Sequence, residues 1–151
     1  MKNILFVCHG NICRSPMAEF VMKELVKEHK LSSDFYIESA AVSSEELGNP
    51  VYPEVKRLLQ KHNIDCSGKF ARRITRDDYR KFDLLIAMDK YNIAGMLREF
   101  GGDPENKIAL LLNYCGENKE VADPWYSGDF TATWSDVQRG CRALLQKLTE
   151  Y

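Results

Sequence analysis

The N-terminal segment constrains the fold more than any other part of the sequence. Ile4–Val7 is a short apolar, β-prone run, and from Met17 onward apolar residues recur at helical spacing. Only the short stretch Cys8–Pro16 separates the two patterns. Within it, Ser15 is the predicted helix N-cap and Pro16 fits the first helical turn. The segment therefore predicts a strand that passes through a tight loop into a helix.

The predicted loop carries the parts of an anion-binding site. A loop that turns back onto a helix N-terminus points unpaired backbone N–H groups and the positive end of the helix dipole at its centre. Gly10 is expected to allow the tight backbone path. In that field a thiolate is favoured over a thiol, so we expect Cys8 to be ionised and nucleophilic at neutral pH. Arg14 adds a planar fork of donors that suits two phosphate oxygens.

The decapeptide Val-Cys-His-Gly-Asn-Ile-Cys-Arg-Ser-Pro, residues 7–16, resembles the signature of the low-molecular-weight protein tyrosine phosphatases. The bare Cys-x5-Arg spacing arises readily by chance, but the whole decapeptide between a strand and a helix is specific. The resemblance implies hydrolysis of phosphotyrosine in proteins and of small aryl phosphates, through a phosphocysteine intermediate on Cys8. It also implies inhibition by phosphate or vanadate and no need for a metal or organic cofactor.

The length and composition fit one domain over residues 1–151. The hydrophobic content of 44% and charged content of 28% are those of an ordinary globular protein. A net charge of −1 gives no reason to expect nucleic acid or an anionic membrane as a partner. No apolar run approaches the length of a membrane span.

The cysteines and the N-terminus predict a cytoplasmic protein. The apolar run after Lys2 is too short for a signal peptide, so none is expected. An odd number of cysteines without a metal-binding spacing suits a reduced compartment; they are Cys8, Cys13, Cys66, Cys115 and Cys141. We expect a monomer or a weak homodimer.

The rest of the chain alternates between strand and helix patterns. The predicted strands are Lys2–Cys8, Phe35–Ala41, Asp83–Ala87 and Ile108–Leu112. The predicted helices run from Pro16 to about Lys30, from Pro53 to about Asn63, from Thr75 to Phe82, from Tyr91 to Phe100 and from about Trp134 to Leu148, with long loops over Ser43–Tyr52 and Asn113–Phe130. This alternation predicts a single three-layer α/β domain, which we expect to hold a four-stranded parallel sheet in the order 2-1-3-4 with helices on both faces. Ligands bind beyond the carboxyl ends of such strands, where Cys8 falls.

Asp123 is the second candidate catalytic group. Cleavage of a phosphate ester by a thiolate requires a proton for the leaving oxygen, and a carboxylic acid can supply it and then activate water. Pro124 fixes the backbone next to Asp123, and the family carries its general acid in a similar Asp-Pro-aromatic-aromatic segment. Cys8, Arg14 and Asp123 are therefore the predicted catalytic residues, with a rate that falls on both sides of a mildly acidic optimum. The alternative is an ordinary Asp-Pro turn whose aromatics pack on the core.

The mouth of the site is expected to combine aromatic and charged residues. Trp125 and Tyr126 would wall it and stack on an aromatic substrate ring. Many relatives have two tyrosines there. Glu45 aligns with a position where relatives often place an aromatic residue, which makes the opposite wall acidic. His9 is expected to face the rim and to tune substrate choice.

The resemblance also assigns residues that support the loop. Asn11 is expected to hold a strained backbone conformation, and the Ser15 hydroxyl to donate to the Cys8 thiolate. Ser39 resembles a family serine that ties down the asparagine, and Asp89 matches a family aspartate with a structural role. The family often has a histidine near Lys69 that joins this network, so that role is not transferred to the lysine. The predicted phosphate-binding positions in the loop are His9, Gly10, Asn11, Ile12, Cys13 and Ser15.

Cys13 has two interpretations. In the family the second cysteine of the loop can close a reversible disulfide with the oxidised nucleophile and so protect it. Alternatively, it is a small buried residue.

Three other functions remain open. Arsenate reductases on this scaffold use two further cysteines and usually continue the loop with Ser-Gln, whereas here Pro16 follows Ser15 and Cys66 has no near partner. Protein-arginine phosphatases typically have threonine at the position of Ile12, which has no hydroxyl to accommodate a guanidinium and so favours phosphotyrosine. A phosphate-binding module without turnover could dispense with Cys8 or Asp123.

Overall fold

Four strands form the central sheet, as the apolar runs predict. In the computed structural model, which describes residues 1–149, the strands are β1 (Lys2–Cys8), β2 (Phe35–Ala41), β3 (Leu84–Ala87) and β4 (Ile108–Leu110). All are parallel and lie in the order β2-β1-β3-β4. The predicted sheet order is confirmed. Because β1 lies between two neighbours, its carboxyl end, and with it Cys8, opens at the middle of the sheet edge.

Helices cover both faces of the sheet: α1 (Arg14–Glu28), α2 (Pro53–Lys61), α3 (Arg76–Lys81), α4 (Lys90–Phe100), α5 (Pro124–Ser127) and α6 (Phe130–Thr149). Ile4 and Phe6 belong to the core that contains the buried residues of α1 and α6. Leu5 and Val7 belong to the core on the opposite face. The side chains of β1 thus alternate between two cores, which explains why the whole run is apolar. None of the helices in residues 1–149 is long and apolar enough to cross a bilayer.

The first helix begins earlier than predicted. Cys13 is its N-cap, and the carbonyl of Cys13 accepts the first helical hydrogen bond from the Met17 N–H at 3.1 Å. The prediction of Ser15 as N-cap is therefore wrong. The Ser15 hydroxyl is instead engaged by groups in the preceding loop, so it has no role in capping. Pro16 lies in the first turn, where its missing N–H leaves no bond unmade.

The predicted loop over residues 113–130 is partly wrong. β4 ends at Leu110 because the Asn113 side chain accepts a bond from the Leu110 N–H at 3.2 Å, and a 3₁₀ turn follows over Leu111–Cys115. Asp129 accepts a bond from the Ala132 N–H at 3.0 Å, so α6 begins at Phe130 rather than near Trp134. The other predicted boundaries agree within about two residues.

Candidate active site

The loop after β1 surrounds the sulfur of Cys8 with donors. The Asn11 N–H donates to Cys8 Sγ at 3.3 Å, and Ser15 Oγ lies 2.9 Å from the same sulfur. Asn11 Nδ2 donates to Ser15 Oγ at 2.8 Å, which leaves the Ser15 hydroxyl hydrogen free to point at Cys8. Ser15 belongs to the first turn of α1, so the sulfur lies close to the N-terminus of that helix. These donors and the helix dipole stabilise negative charge on Cys8.

Asn11 is the strained residue of the loop. Its φ of 60° lies in the left-handed region, which asparagine tolerates better than most residues. Its side chain holds this conformation by donating to Ser39 Oγ at 2.9 Å, in addition to Ser15, and by accepting from the Arg72 N–H at 3.1 Å. Ser39 thus contacts Asn11 directly.

A buried ion-pair cluster that the sequence did not predict supports Ser39. The Ser39 hydroxyl donates to Glu19 Oε1 at 2.5 Å, and the Glu19 carboxylate pairs with Lys23 at 2.6 Å and with Lys69 at 3.2 Å. Lys69 also donates to the Ser39 carbonyl at 2.8 Å. The lysine therefore joins the loop network after all. Burial lowers the pKa of Lys69, and the facing Glu19 offsets part of that shift.

The position of Glu19 on α1 carries a signal for this cluster. Glu19 lies one turn after Ser15 and at helical spacing from Met22 and Val26, which are both buried. A carboxylate on the buried face of a helix requires cationic or hydrogen-bonding partners. The identity of those partners depends on the fold and does not follow from the spacing.

We expect Asn11→Ala to lower kcat/KM for an aryl phosphate by about tenfold and the free energy of unfolding by about 1–3 kcal/mol. Alanine removes the hydrogen-bond partners of Ser39 and of the Arg72 N–H, and it disfavours the left-handed backbone. Steady-state kinetics and chemical denaturation measure the two effects. The matched control is Asn106→Ala, since Asn106 also has a positive φ, 52°, but is exposed and remote from the loop. Equal activity in both variants would contradict the role of Asn11.

Arg14 lies beneath the loop with its guanidinium fixed by three oxygens. Nη2 donates to Asp89 at 2.8 Å and lies 3.3 Å from Asp123 Oδ2, while Nη1 donates to the Val121 carbonyl at 3.2 Å. Burial lowers the pKa of Arg14, but the facing Cys8, Asp123 and Asp89 outweigh it and leave the pKa above its ordinary value. The guanidinium is therefore both oriented and permanently charged.

Asp89 has two functions in this arrangement. One carboxylate oxygen accepts the bond from Arg14, and the other caps α4 by accepting from the Asn92 N–H at 2.9 Å. Asp89, which follows β3, therefore links the Arg14 guanidinium to the N-terminus of α4.

One cavity of about 380 Å³ brings the predicted catalytic and rim residues together. Its lining comprises Cys8, His9, Gly10, Ile12, Cys13, Arg14, Glu45, Glu46, Asp123, Trp125 and Tyr126. Asn11, Ser15 and Asp89 lie outside this lining and bond to Cys8 or Arg14, and Ser39 bonds to Asn11. The candidate residues thus divide into groups that face the cavity and groups that support them.

The acidic wall of the cavity contains Glu46 in addition to Glu45, and the sequence did not predict Glu46 as a site residue. His9 Nε2 lies 3.0 Å from Glu45 Oε2, and the neighbouring Glu46 packs against Gly10. A Cβ on Gly10 would lie 3.2 Å from Glu46 Cγ, whereas the positive φ that a tight turn needs occurs at Asn11. The expectation that Gly10 provides backbone freedom is therefore wrong: Gly10 provides space for the Glu46 side chain.

The aromatic wall formed by Trp125 and Tyr126 is anchored on the loop after β1 through Tyr52. Trp125 contacts the Tyr52 ring edge to face at a centroid distance of 5.6 Å, and Tyr52 stacks on Phe130 at 5.9 Å. The Tyr52 N–H donates to the Ile12 carbonyl at 2.9 Å. Trp125 is 60% exposed and Tyr126 88% exposed, which leaves both rings available to a ligand.

Cys13 lies in the cavity wall as a free thiol. Burial, followed by the nearby Cys8 and Asp123, raises the pKa of Cys13 to about 12. Cys13 is therefore protonated at neutral pH, which separates it chemically from a nucleophile.

Comparisons with known proteins find relatives over nearly the whole chain. A family model described as low molecular weight phosphotyrosine protein phosphatase matches residues 3–151. The low molecular weight phosphotyrosine protein phosphatase of Gallus gallus is 38% identical over 152 residues, which cover 97% of this chain and 96% of that protein.

Two solved structures match this chain over nearly its whole length. The crystal structure of YfkJ from Bacillus subtilis matches with a TM-score of 0.95 at 34% identity, covering 99% of this chain and 96% of that one. That of a drosophila arginine phosphatase matches with a TM-score of 0.87 at 33% identity, covering 98% of each chain. Because the family model matches nearly the whole length of this chain, the chain belongs to the low-molecular-weight phosphotyrosine protein phosphatases.

Proposed function

We propose that this protein hydrolyses phosphotyrosine in proteins, and small aryl phosphates, through a phosphocysteine intermediate on Cys8. The observation that carries the proposal is the convergence of the Cys8 sulfur, the Arg14 guanidinium and the Asp123 carboxyl on one cavity. A thiolate nucleophile, a fixed cation and a proton donor are the groups that phosphoryl transfer to sulfur needs. The following steps assign a role to each.

In the first step, the Cys8 thiolate attacks phosphorus, and the bond from phosphorus to the phenolic oxygen breaks. Asp123, in its protonated form, gives its proton to that oxygen as tyrosine leaves. Arg14 and the backbone N–H groups of the loop bind the equatorial phosphate oxygens, where negative charge is held in the transition state. Asp123 lies within 3.3 Å of Arg14, so donor and cation act on the same phosphoryl group.

In the second step, the Asp123 carboxylate takes a proton from water as the water oxygen attacks phosphorus. The sulfur–phosphorus bond breaks, which releases inorganic phosphate and restores the Cys8 thiolate. The Ser15 hydroxyl, 2.9 Å from the sulfur, stabilises the charge that returns to it. Inorganic phosphate and vanadate are accordingly expected to compete with substrate.

The walls of the cavity favour phosphotyrosine over phosphoarginine. Trp125 offers a ring that an aryl group can stack on, and Ile12 presents an apolar side chain to the cavity. Phosphoarginine hydrolysis is the second candidate, because a drosophila arginine phosphatase has the same fold and because Glu45 and Glu46 could receive a guanidinium. Arsenate reduction and phosphate binding without turnover are further alternatives.

Hydrolysis of matched phosphotyrosine and phosphoarginine peptides separates these functions. With a chelator present, we expect kcat/KM for phosphotyrosine to exceed that for phosphoarginine by at least about 100-fold, since the polar contacts that a guanidinium needs are missing on the Ile12 side. Preference for phosphoarginine would move the assignment to the second candidate. Binding of phosphate with no turnover of either peptide would indicate a binding module, and thiol-dependent reduction of arsenate would indicate the reductase.

The thiols are consistent with the proposed cytoplasmic location. All five cysteines are free, and Cys8, Cys13, Cys66 and Cys141 are buried. We retain the proposal of a monomer or weak homodimer, which sedimentation at micromolar concentration tests.

A further inference from the structure

Two buried side chains of α6 hold the main chain just before Asp123. Thr133 Oγ1 donates to the Ala122 carbonyl at 2.7 Å, and the Ala122 N–H donates to Asp136 Oδ2 at 3.0 Å. Thr133 and Asp136 are both buried. One helix therefore satisfies both main-chain polar groups of the residue that precedes the proposed general acid.

The Asp136 carboxylate is itself fixed. Its second oxygen, Oδ1, accepts a bond from Arg139 Nη2 at 3.1 Å and lies 3.9 Å from Lys119 Nζ. These cations compensate the cost of burying the carboxylate. Asp136 thus presents Oδ2 to Ala122 in one orientation.

The residues before Ala122 are bound on the other side of the site. The Val121 N–H donates to the Met88 carbonyl at 2.9 Å, and the Val121 carbonyl accepts from Arg14. Glu120 accepts a bond from the Lys90 N–H at 2.8 Å. Residues 120–122 therefore span from α4 and Arg14 to α6, and Ala122 is the last anchored point before Asp123.

Beyond Pro124, which is buried, the segment that carries Asp123 is exposed. The side chain of Asp123 is 27% exposed, and the aromatic residues that follow it are largely exposed. The Asp123 carboxyl lies 3.3 Å from Arg14 and accepts from the Trp125 N–H, and the main chain that carries it is held from behind at Ala122. The distance from this carboxyl to the reacting phosphate therefore depends on the position of Ala122 as well as on these direct contacts. General acid catalysis is sensitive to this distance, because a displacement of about 1 Å can cost about 100-fold in rate.

We propose that Thr133 and Asp136 are positioning residues for the general acid: they hold Ala122 so that the Asp123 carboxyl reaches the leaving oxygen. The inference rests on the proposed role of Asp123. It assigns to α6, whose other buried residues form core, an indirect part in the proton-transfer step, through the main chain of Ala122.

The dependence of rate on the leaving group tests this role. Phosphotyrosine needs a proton on its leaving oxygen, whereas 2,4-dinitrophenyl phosphate leaves readily without one. We expect Thr133→Val to lower kcat/KM about tenfold for a phosphotyrosine peptide and less than about twofold for 2,4-dinitrophenyl phosphate. Thr133→Ser, which keeps the hydroxyl, should restore the phosphotyrosine rate. The ratio of the two kcat/KM values does not depend on how much protein is folded, so partial unfolding of Thr133→Val leaves the test intact.

Asp136 is tested with a pair of the same design. Asp136→Asn keeps an oxygen that can accept from the Ala122 N–H and should stay close to wild type in the leaving-group ratio. Asp136→Leu removes the acceptor and should shift the ratio in the same direction as Thr133→Val. The control is Thr131→Val, because Thr131 lies on the same helix but is exposed.

Asp123→Asn is the reference that keeps the two proposals apart. If Asp123→Asn shows the leaving-group dependence and abolishes any further effect of Thr133→Val, the positioning role is supported. If Asp123→Asn slows phosphotyrosine more than 2,4-dinitrophenyl phosphate but Thr133→Val slows both substrates equally, the positioning role alone is overturned. If Asp123→Asn itself slows both substrates equally, Asp123 is not the acid and both proposals are overturned.

Discussion

Replacing Cys8 by serine is expected to lower kcat/KM for phosphotyrosine by on the order of 10⁴-fold or more. A serine hydroxyl does not ionise near neutral pH, and the donors around Cys8 favour charge on the atom they face, the sulfur. The phosphate-binding groups are untouched by the substitution. Steady-state hydrolysis of a phosphotyrosine peptide measures the loss, and calorimetric titration with phosphate measures the remaining binding.

The matched control for this variant is Cys115→Ser. Cys115 is a free thiol in the 3₁₀ turn after β4 and does not line the cavity. We expect it to retain the wild-type rate. Full activity in Cys8→Ser would rule out nucleophilic catalysis by this residue.

Asp123→Asn is expected to lower kcat/KM for phosphotyrosine by about 10²–10³-fold, because asparagine cannot transfer a proton to the leaving oxygen. The asparagine oxygen can still accept the bond that Asp123 accepts from the Trp125 N–H at 3.0 Å, so the short helix α5 should persist. Steady-state hydrolysis of a phosphotyrosine peptide measures the loss.

The control for Asp123→Asn is Asp129→Asn, which removes a nearby exposed carboxylate that also caps a helix. We expect its rate to match the wild type. A phosphotyrosine rate in Asp123→Asn equal to that of Asp129→Asn would mean that another group supplies the proton.

The parts of the fold that the sequence predicts are those with a local cause. The apolar run of β1 and the helical spacing after Met17 predict a strand, a tight loop and a helix, and the structure contains all three. The alternation of such patterns predicts the parallel sheet. Asp123 could be proposed as an acid because Pro124 and the aromatic residues beside it form a recognisable segment.

The parts that the sequence did not predict depend on contacts between distant segments. Ser15 looks like an N-cap, but its hydroxyl bonds to both Asn11 and Cys8, and the helix begins at Arg14. Lys69 reaches Glu19 only because the loop before α3 crosses the end of β2.

The anchoring of Ala122, the residue before Asp123, also depends on contacts between distant segments. Thr133 and Asp136 fall within a helix whose spacing predicts only an apolar stripe. Their bonds to Ala122 exist because α6 packs beside the loop that follows β4. No local pattern identifies the partner of a buried polar side chain, although a buried carboxylate indicates that one exists.

The central claim is that a phosphoryl group passes through the Cys8 sulfur, and trapping the intermediate tests it most directly. Wild-type protein and Cys8→Ser would be mixed with an aryl phosphate, quenched in acid within one turnover, and digested for mass spectrometry. The account predicts one phosphoryl group on the wild-type peptide that contains Cys8 and none in the variant. Steady turnover with no phosphorylated peptide, or with the phosphoryl group on another residue, would contradict it.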